Sequence, residues 1–295
     1  MQSANQRKTF LLLAGMGSLV AFVVWAVALY LGQSSVGIVP IAVGIAVAGT
    51  WFSYYNSDKI VLSMTGAQIV DESSAPQLYN VVHEVAMAAG MPMPKVAIVQ
   101  DDAPNAFATG RDPEHGVVAF TTGILRILDR EQLQGVAAHE LGHIANRDTL
   151  VSAVAATTAG AIAILSDLVF RMMFFSGHRN RNNNNQNPLL LVASLLILVL
   201  APIAAVLLKS AISRKRESLA DATAVEFTRN PVGLRRALEA LAADNTVVQQ
   251  RSTAVAHVWI ESPLDSSFNS RLFATHPPIQ ERIETLRAIE EGRYR

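Results

Sequence analysis

Four long apolar runs dominate this sequence and limit what it can fold into. Residues 10–31, 36–55 and 189–208 contain no Asp, Glu, Lys or Arg, and residues 149–175 contain one acidic and one basic side chain. As a helix, the first run would be about 33 Å long, enough to cross a hydrocarbon core of ~30 Å. The runs therefore predict a membrane protein with four transmembrane helices.

Composition agrees with this interpretation and excludes several functions. The chain is 51% hydrophobic and only 16% charged, with a formal net charge of zero. Its basic residues are scattered, so no basic face favours nucleic-acid binding. Because the chain has no cysteine, any metal must be held by histidine and carboxylate side chains.

The apolar runs divide the chain into four parts. Residues 1–57 are predicted to form a transmembrane hairpin, and residues 149–208 a second one. The more polar residues 58–148 and 209–295 are predicted to be the two halves of one soluble domain, mostly helical with a small β-sheet. The fold class is thus a mainly α membrane protein.

Local signals place the elements of the soluble domain. "APQLYNVVHEVAMAAG" is typical of an amphipathic helix that ends at Gly90, and "KVAIVQ" and "GVVAFTTG" are typical of short strands. A helix is predicted across residues 127–148 with Asp129 as its N-cap. Two later helices are predicted to begin at prolines, in "NPVGLRRALEALAAD" and "HPPIQERIETLRAIEEG".

The positions of the basic residues predict the orientation in the membrane. Lysines and arginines lie next to those ends of the four runs that connect to the termini and to the two soluble segments. These ends are therefore predicted to face the cytoplasm. Arg179 and Arg181, in the asparagine-rich loop between the last two runs, argue weakly for the opposite orientation.

The stretch "GVAAHELGHIANRD", residues 135–148, carries the chemistry. Positions i and i+4 of a helix share one face, so His139 and His143 can present ring nitrogens to one metal ion with Glu140 beside them. This pattern favours zinc. Catalytic zinc normally has three protein ligands and one water, so a third ligand must come from elsewhere.

"SRKRESLADATAVEF" contains the best candidate for that ligand. Glu217 is predicted to bind the metal, and Asp221, one helical turn later, is predicted to accept the free N–H of a ligand histidine. A membrane hairpin between His143 and Glu217 would return both helices to the same side of the bilayer. Glu226 is the alternative ligand.

The three predicted zinc ligands and Glu140 together predict peptide-bond hydrolysis assisted by one Zn²⁺ per chain. Glu140 would accept the proton of the attacking water and deliver it to the leaving amine. The developing oxyanion needs a donor besides the metal. His276, in "ATHPPIQER", is the first candidate and Arg282 the second.

The chain resembles the HtpX-type heat-shock membrane proteases, within the zinc peptidases that include the prenyl-protein and Oma-type proteases. The resemblance rests on "HELGH", "RESLADATAVEFT", "NAFATG", "THPPIQERI" and the order of the apolar runs. It implies a zincin-like catalytic domain with His139, His143 and Glu217 as ligands. It also implies a bacterial inner-membrane protein, facing the cytoplasm, that degrades misfolded membrane proteins. Finally, it implies that "NAFATG" is an edge strand near the substrate, with Asn105, Ala106 and Phe107 in contact with it.

Three other functions compete with this one. An ATP-driven protease would need a GxxxxGK[ST] loop, which is absent, so the activity is predicted to be independent of ATP. An intramembrane protease would bury its HExxH in an apolar span, whereas charged residues flank the motif here. A membrane scaffold or transporter with a vestigial motif would not require the carboxylates of Glu140, Glu217 and Asp221 together.

Overall fold

The structure, a computed structural model, is mostly helical and contains one small mixed sheet. It describes residues 55–149, 216–244 and 278–293, together with Trp259 and a few single positions between 14 and 52. The prediction of mainly helical structure with a small β-sheet is confirmed for these residues.

The predicted membrane spans fall largely outside the described residues. Apart from single positions, this applies to all four apolar runs. Among the helices that the structure does describe, none combines the length and the hydropathy that a membrane crossing needs.

Four strands form the sheet in the order β1-β2-β4-β3. The two central strands are parallel, and each outer strand is antiparallel to its neighbour. The two predicted strands are confirmed as β2 and β4, and "NAFATG" contains the edge strand β3. The bounds are β1 (Gln68–Val70), β2 (Lys95–Val99), β3 (Ala106–Thr109) and β4 (Val117–Thr121). Three residues are too few to show a period of two, so the sequence offers no signal for β1.

The helices begin and end close to their predicted signals. Asp129 caps the helix that carries the HExxH motif: its carboxylate accepts from the Gln132 N–H at 2.9 Å, and the Gln132 side chain accepts from the Asp129 N–H at 2.8 Å. Two of the other helices begin at Pro76 and Pro231. The helices are α1 (Ser57–Thr65), α2 (Pro76–Ala88), α3 (Thr122–Ile127), α4 (Arg130–Ala145), α5 (216–228), α6 (Pro231–Ala243) and α7 (Ile279–Glu290), with a 3₁₀ turn at Pro113–His115.

Apolar side chains pack on both faces of the sheet. Ala106 and Ala108 of β3 face the larger core, which contains buried residues of α2, α4, α6 and α7. Phe107 points to the opposite face, where it packs with Val61 of α1 and with Trp259. Strand alternation therefore separates the two cores, and β4 is buried along its whole length because both faces are covered.

Helix α4 crosses α6 at unusually short range. A Cβ on Gly135 would lie 2.4 Å from the backbone nitrogen of Leu234, and a Cβ on Gly233 would lie 2.7 Å from the carbonyl oxygen of Glu131. Only glycine fits at these two positions. The crossing sets the position of the HExxH helix against the core.

Candidate active site

The two histidines of α4 face the same point, as their spacing predicts. The Nε2 atoms of His139 and His143 lie 3.1 Å apart, and their rings meet edge to face. His139 is fully buried. Neutral imidazoles arranged in this way direct two lone pairs at one position, which suits a shared cation.

Glu217 completes the group from α5. Its Oε2 lies 3.5 Å from Nε2 of His139, and its Oε1 lies 3.4 Å from Nε2 of His143. The three side chains form a group whose donor atoms all lie within 4.8 Å of one another. Glu226 is exposed and is not part of this group.

The spacing of the donor atoms fits zinc. Ligands at bond lengths of ~2.0–2.1 Å around a tetrahedral ion lie about 3.3 Å from each other. The two Nε2 atoms lie 3.1 Å apart, and each of them lies 3.4 or 3.5 Å from a different oxygen of Glu217, so each separation is close to that value. A fourth position remains for a water, as in catalytic sites.

Small residues allow α5 to approach α4 closely enough for Glu217 to reach the histidines. A Cβ on Gly142 would lie 3.2 Å from the carbonyl oxygen of Ala220 and 3.3 Å from Cβ of Thr223. The Asn146 amide donates to the Thr223 hydroxyl at 3.3 Å across the same contact. The glycine of "HELGH" therefore serves the packing of the two ligand helices.

Asp221 lies behind His139, where the sequence places it. Its Oδ1 is 2.9 Å from Nδ1 of His139. Arg282 of α7 donates two hydrogen bonds to the same carboxylate, from Nη2 at 2.7 Å and from Nε at 3.0 Å. Burial alone would raise the pKa of Asp221, but the charge of Arg282 and the hydrogen bond of His139 outweigh it and lower that pKa to about 2. The carboxylate is thus ionised at neutral pH.

The pKa values of Glu140, His143 and His139 are shifted by burial and by the charged groups around them. Burial raises the pKa of the Glu140 carboxyl, against the opposing charges of the two histidines. Burial would lower the pKa of His143, yet the carboxylates of Glu217 and Asp148 raise it well above its ordinary value. The pKa of His139 is raised in the same way by Asp221 and Glu217, against burial and Arg282. A buried carboxyl with a raised pKa suits a group that must accept and then release a proton.

Asp148 and Arg216 also lie at the site, although no sequence pattern predicts a role for them. Asp148 lies 3.5 Å from Nδ1 of His143, and Arg216 lies 3.3 Å from Asp148. Asp148 lies three positions after the last residue of α4, and Arg216 directly precedes Glu217, and these positions are the only sequence signals for them.

The predicted substrate residues lie on or next to β3, which packs against α4. Asn105 is buried, and its carbonyl oxygen accepts from the Thr121 N–H at 2.9 Å. The side chain of Phe107 points into the core beyond the sheet and meets Trp259 edge to face. The backbone of β3 lies at the sheet edge, where Phe107 forms an antiparallel β-bridge with Trp259. The predicted oxyanion donor His276 lies outside the described residues.

The HExxH helix, the carboxylate donor on a packed second helix and the small sheet beside them define a metallopeptidase, and this chain is one. It belongs to peptidase family M48, whose family model matches residues 72–290. This membership confirms the resemblance inferred from the motifs.

Relatives of similar length support the assignment. The chain is 44% identical over 291 residues to a protease HtpX homolog of Streptococcus gordonii, which covers 97% of this chain and 98% of the relative. A protease HtpX homolog of Thermodesulfovibrio yellowstonii is 50% identical over 245 residues, covering 83% and 86% of the two chains. The crystal structure of Ste24p from S. mikatae has a similar fold, with a TM-score of 0.53 at 18% identity, covering 97% of this chain and 66% of that one.

Proposed function

We propose that this chain is a membrane-bound, ATP-independent zinc endopeptidase that cleaves misfolded or damaged membrane proteins. The observation that carries the proposal is the donor group of His139, His143 and Glu217, with separations that fit one tetrahedral ion. The apolar runs at residues 10–31, 36–55, 149–175 and 189–208 support attachment to the bacterial inner membrane by two hairpins. The positions of the basic residues support a catalytic domain in the cytoplasm.

The roles of the side chains follow from their positions. When bound, zinc supplies Lewis-acid polarisation and makes water more acidic. His139, His143 and Glu217 would hold the ion, and Asp221 would orient His139 through Nδ1. Glu140 accepts a proton from the water that attacks the peptide carbonyl carbon. As the C–N bond breaks, Glu140 delivers that proton to the amine nitrogen.

Two further groups would act on the substrate. The backbone beside Asn105 and Ala106 would bind an extended peptide next to Phe107, whose own backbone pairs with Trp259. His276 would donate to the oxyanion. Arg282 is the second candidate for that donor. Its bidentate contact with Asp221 also supports a positioning role, in which it fixes the carboxylate behind His139.

The exposed charges at both ends of α4 favour a site outside the hydrocarbon over an intramembrane one. Arg130, Glu131 and Arg147 are all exposed. Such residues would be costly within a bilayer. Substrate would accordingly reach the site from the aqueous side.

Glu140→Gln tests the proposed mechanism. The glutamine removes the base but leaves the three ligands, so the variant should bind about one zinc per chain and lose casein cleavage by at least about 100-fold. Zinc content and cleavage without ATP are measured side by side with the detergent-purified wild type. Wild-type activity in Glu140→Gln would exclude Glu140 as the base, and a folded wild type without zinc affinity would exclude the metal site.

A further inference from the structure

An ion pair between buried Asp148 and partly buried Arg216 lies behind His143, on the side away from the donor group. Asp148 is only 2% exposed, and its Oδ2 lies 3.5 Å from Nδ1 of His143. Nε of Arg216 lies 3.3 Å from the other oxygen of the same carboxylate. Because buried charges are costly unless they are paired, the placement of both groups at a ligand histidine requires a reason.

The backbone after α4 is bent so that Asp148 returns to the ring. Arg147 has a φ of 58°, in the left-handed region that few residues other than glycine adopt. Its N–H donates to the carbonyl oxygen of Ile144 at 3.0 Å, which closes the turn. The Thr149 hydroxyl then donates to the buried carbonyl oxygen of Gly110 at 2.8 Å, so the chain after the turn is also held.

The same three kinds of group meet more closely at the other ligand histidine. Asp221 lies 2.9 Å from Nδ1 of His139, whereas Asp148 lies 3.5 Å from Nδ1 of His143 and its carboxylate makes no hydrogen bond among the described residues. Nδ1 of His139 faces Asp221, and Arg282 holds that carboxylate with both arms. In both cases a ring nitrogen that points away from the donor group meets a buried carboxylate, which in turn meets an arginine. Such a carboxylate keeps the proton of a neutral imidazole on Nδ1 and leaves the Nε2 lone pair for a metal.

We propose that Asp148 and Arg216 are positioning residues of the metal site: Asp148 accepts the hydrogen bond of Nδ1–H of His143, and Arg216 holds Asp148. This inference rests on the proposed zinc-binding function. Arg216 directly precedes Glu217, and Asp148 precedes residues 149–215. The pair therefore joins two residues that lie on either side of residues 149–215 in the sequence, next to two of the three ligands.

The experiment compares Asp148→Asn, Arg216→Met and the double variant in the full-length protein. An asparagine can turn its amide N–H toward Nδ1 and stabilise the tautomer that carries a proton on Nε2, which cannot bind metal. Zinc affinity, measured by competition with a chromophoric chelator, should fall by about 10–100-fold in Asp148→Asn. It should fall less in Arg216→Met. The double variant should match Asp148→Asn, because Arg216 acts through Asp148.

A spectroscopic signal separates positioning from general loss of structure. The visible absorption of the Co²⁺-substituted protein reports the ligand geometry, and it should change in Asp148→Asn while the circular dichroism of the metal-free variant remains that of a folded protein. Asp102→Asn is the matched control, because Asp102 forms an exposed ion pair with Arg126 at 3.0 Å. Its zinc affinity and Co²⁺ spectrum should equal those of the wild type.

Each outcome decides the proposal. Wild-type zinc affinity and an unchanged Co²⁺ spectrum in Asp148→Asn would overturn it, and additive effects in the double variant would overturn the role of Arg216. If Asp148→Asn does not fold, Arg216→Met and Arg216→Lys decide instead: weaker zinc binding that the lysine partly restores supports the pair, and wild-type affinity in both rejects it. Absence of zinc binding in the wild type would reject the proposed function itself.

Discussion

Asp221 illustrates how the charge of one buried residue depends on its partners. It is 3% exposed, yet its pKa is lowered to about 2, because the Arg282 charge and the His139 hydrogen bond outweigh burial. The i, i+4 spacing from Glu217 and the need to orient a ligand histidine predict this residue from sequence. Its arginine partner comes from α7, and no local pattern links residues 221 and 282.

Asp221 should make stability depend on pH in the metal-free protein. Because its folded pKa lies below the ordinary value of 3.8, its contribution is complete above about pH 4 and is lost as the pH falls toward 2. The Asp221→Asn variant should therefore be less stable than wild type by about 2 kcal/mol at pH 7. Unfolding after chelation, followed from pH 7 to pH 3, should show this difference shrinking. A difference that stays constant across this range would contradict the assignment.

At the residue scale, local spacing accounts for part of the site. His139, His143 and Glu217 are predicted because helical periodicity and metal chemistry constrain them together. Asp148 and Arg216 are not, because the path from His143 to Asp148 runs through a left-handed turn at Arg147. Arginine carries no preference for that conformation, so the sequence does not show the turn.

At the scale of elements, the position of α4 depends on two of its glycines, which let neighbouring helices pack closely against it. Gly135 and Gly142 lie on the HExxH helix and allow α6 and α5, respectively, to approach at backbone distance. Sequence predicts α4 well because its capping signals are local and strong. It does not predict the crossing partners, since a glycine within a helix lowers propensity and does not indicate which helix packs against it.

Gly135→Ala should therefore destabilise the protein although alanine is the better helix former. Its Cβ would lie 2.4 Å from the backbone of Leu234, so α6 would have to move. Overpacking of this kind costs about 1–3 kcal/mol, more than the ~1 kcal/mol gained in helix propensity. We expect a melting temperature lower by several degrees together with weaker zinc binding. Gln134→Ala, at the adjacent, partly exposed position, should melt close to wild type.

At the scale of the whole molecule, the site is assembled from parts far apart in sequence. Helices α4, α5 and α7 contribute the donor group and the buried charges around it, with residues 150–215 between α4 and α5. Metal bound at their meeting point would stabilise the folded domain, because the unfolded chain has no comparable site.

Removal of metal should accordingly lower the melting temperature. A site occupied at 100 times its dissociation constant contributes about 2.7 kcal/mol, which corresponds to several degrees. Chelation should lower the melting temperature of the wild type and leave that of Glu217→Ala unchanged, because the latter has lost a ligand. An equal effect of chelator on both proteins would show that the stabilising metal binds elsewhere.

The absence of cysteine makes the proposed topology directly testable. Glu72→Cys lies in the soluble segment and is exposed, so it should react with an impermeant maleimide only from the cytoplasmic side. Asn184→Cys, between the last two apolar runs, should react only from the opposite side. Labelling of both positions from one side would contradict a second hairpin that crosses the membrane.

The sequence by itself determined the reaction class, the candidate metal-binding residues and several element boundaries. The reason is that helical spacing, capping and donor chemistry are expressed within a few consecutive residues. Only the tertiary structure decided that α6 packs closely against α4 at Gly135 and Gly233, and that Phe107 faces away from α4. It also decided that Arg282 and Arg216 contact the carboxylates of Asp221 and Asp148 behind the two histidines. These contacts join segments distant in sequence, and their formation depends on the packing of the whole domain rather than on any local pattern.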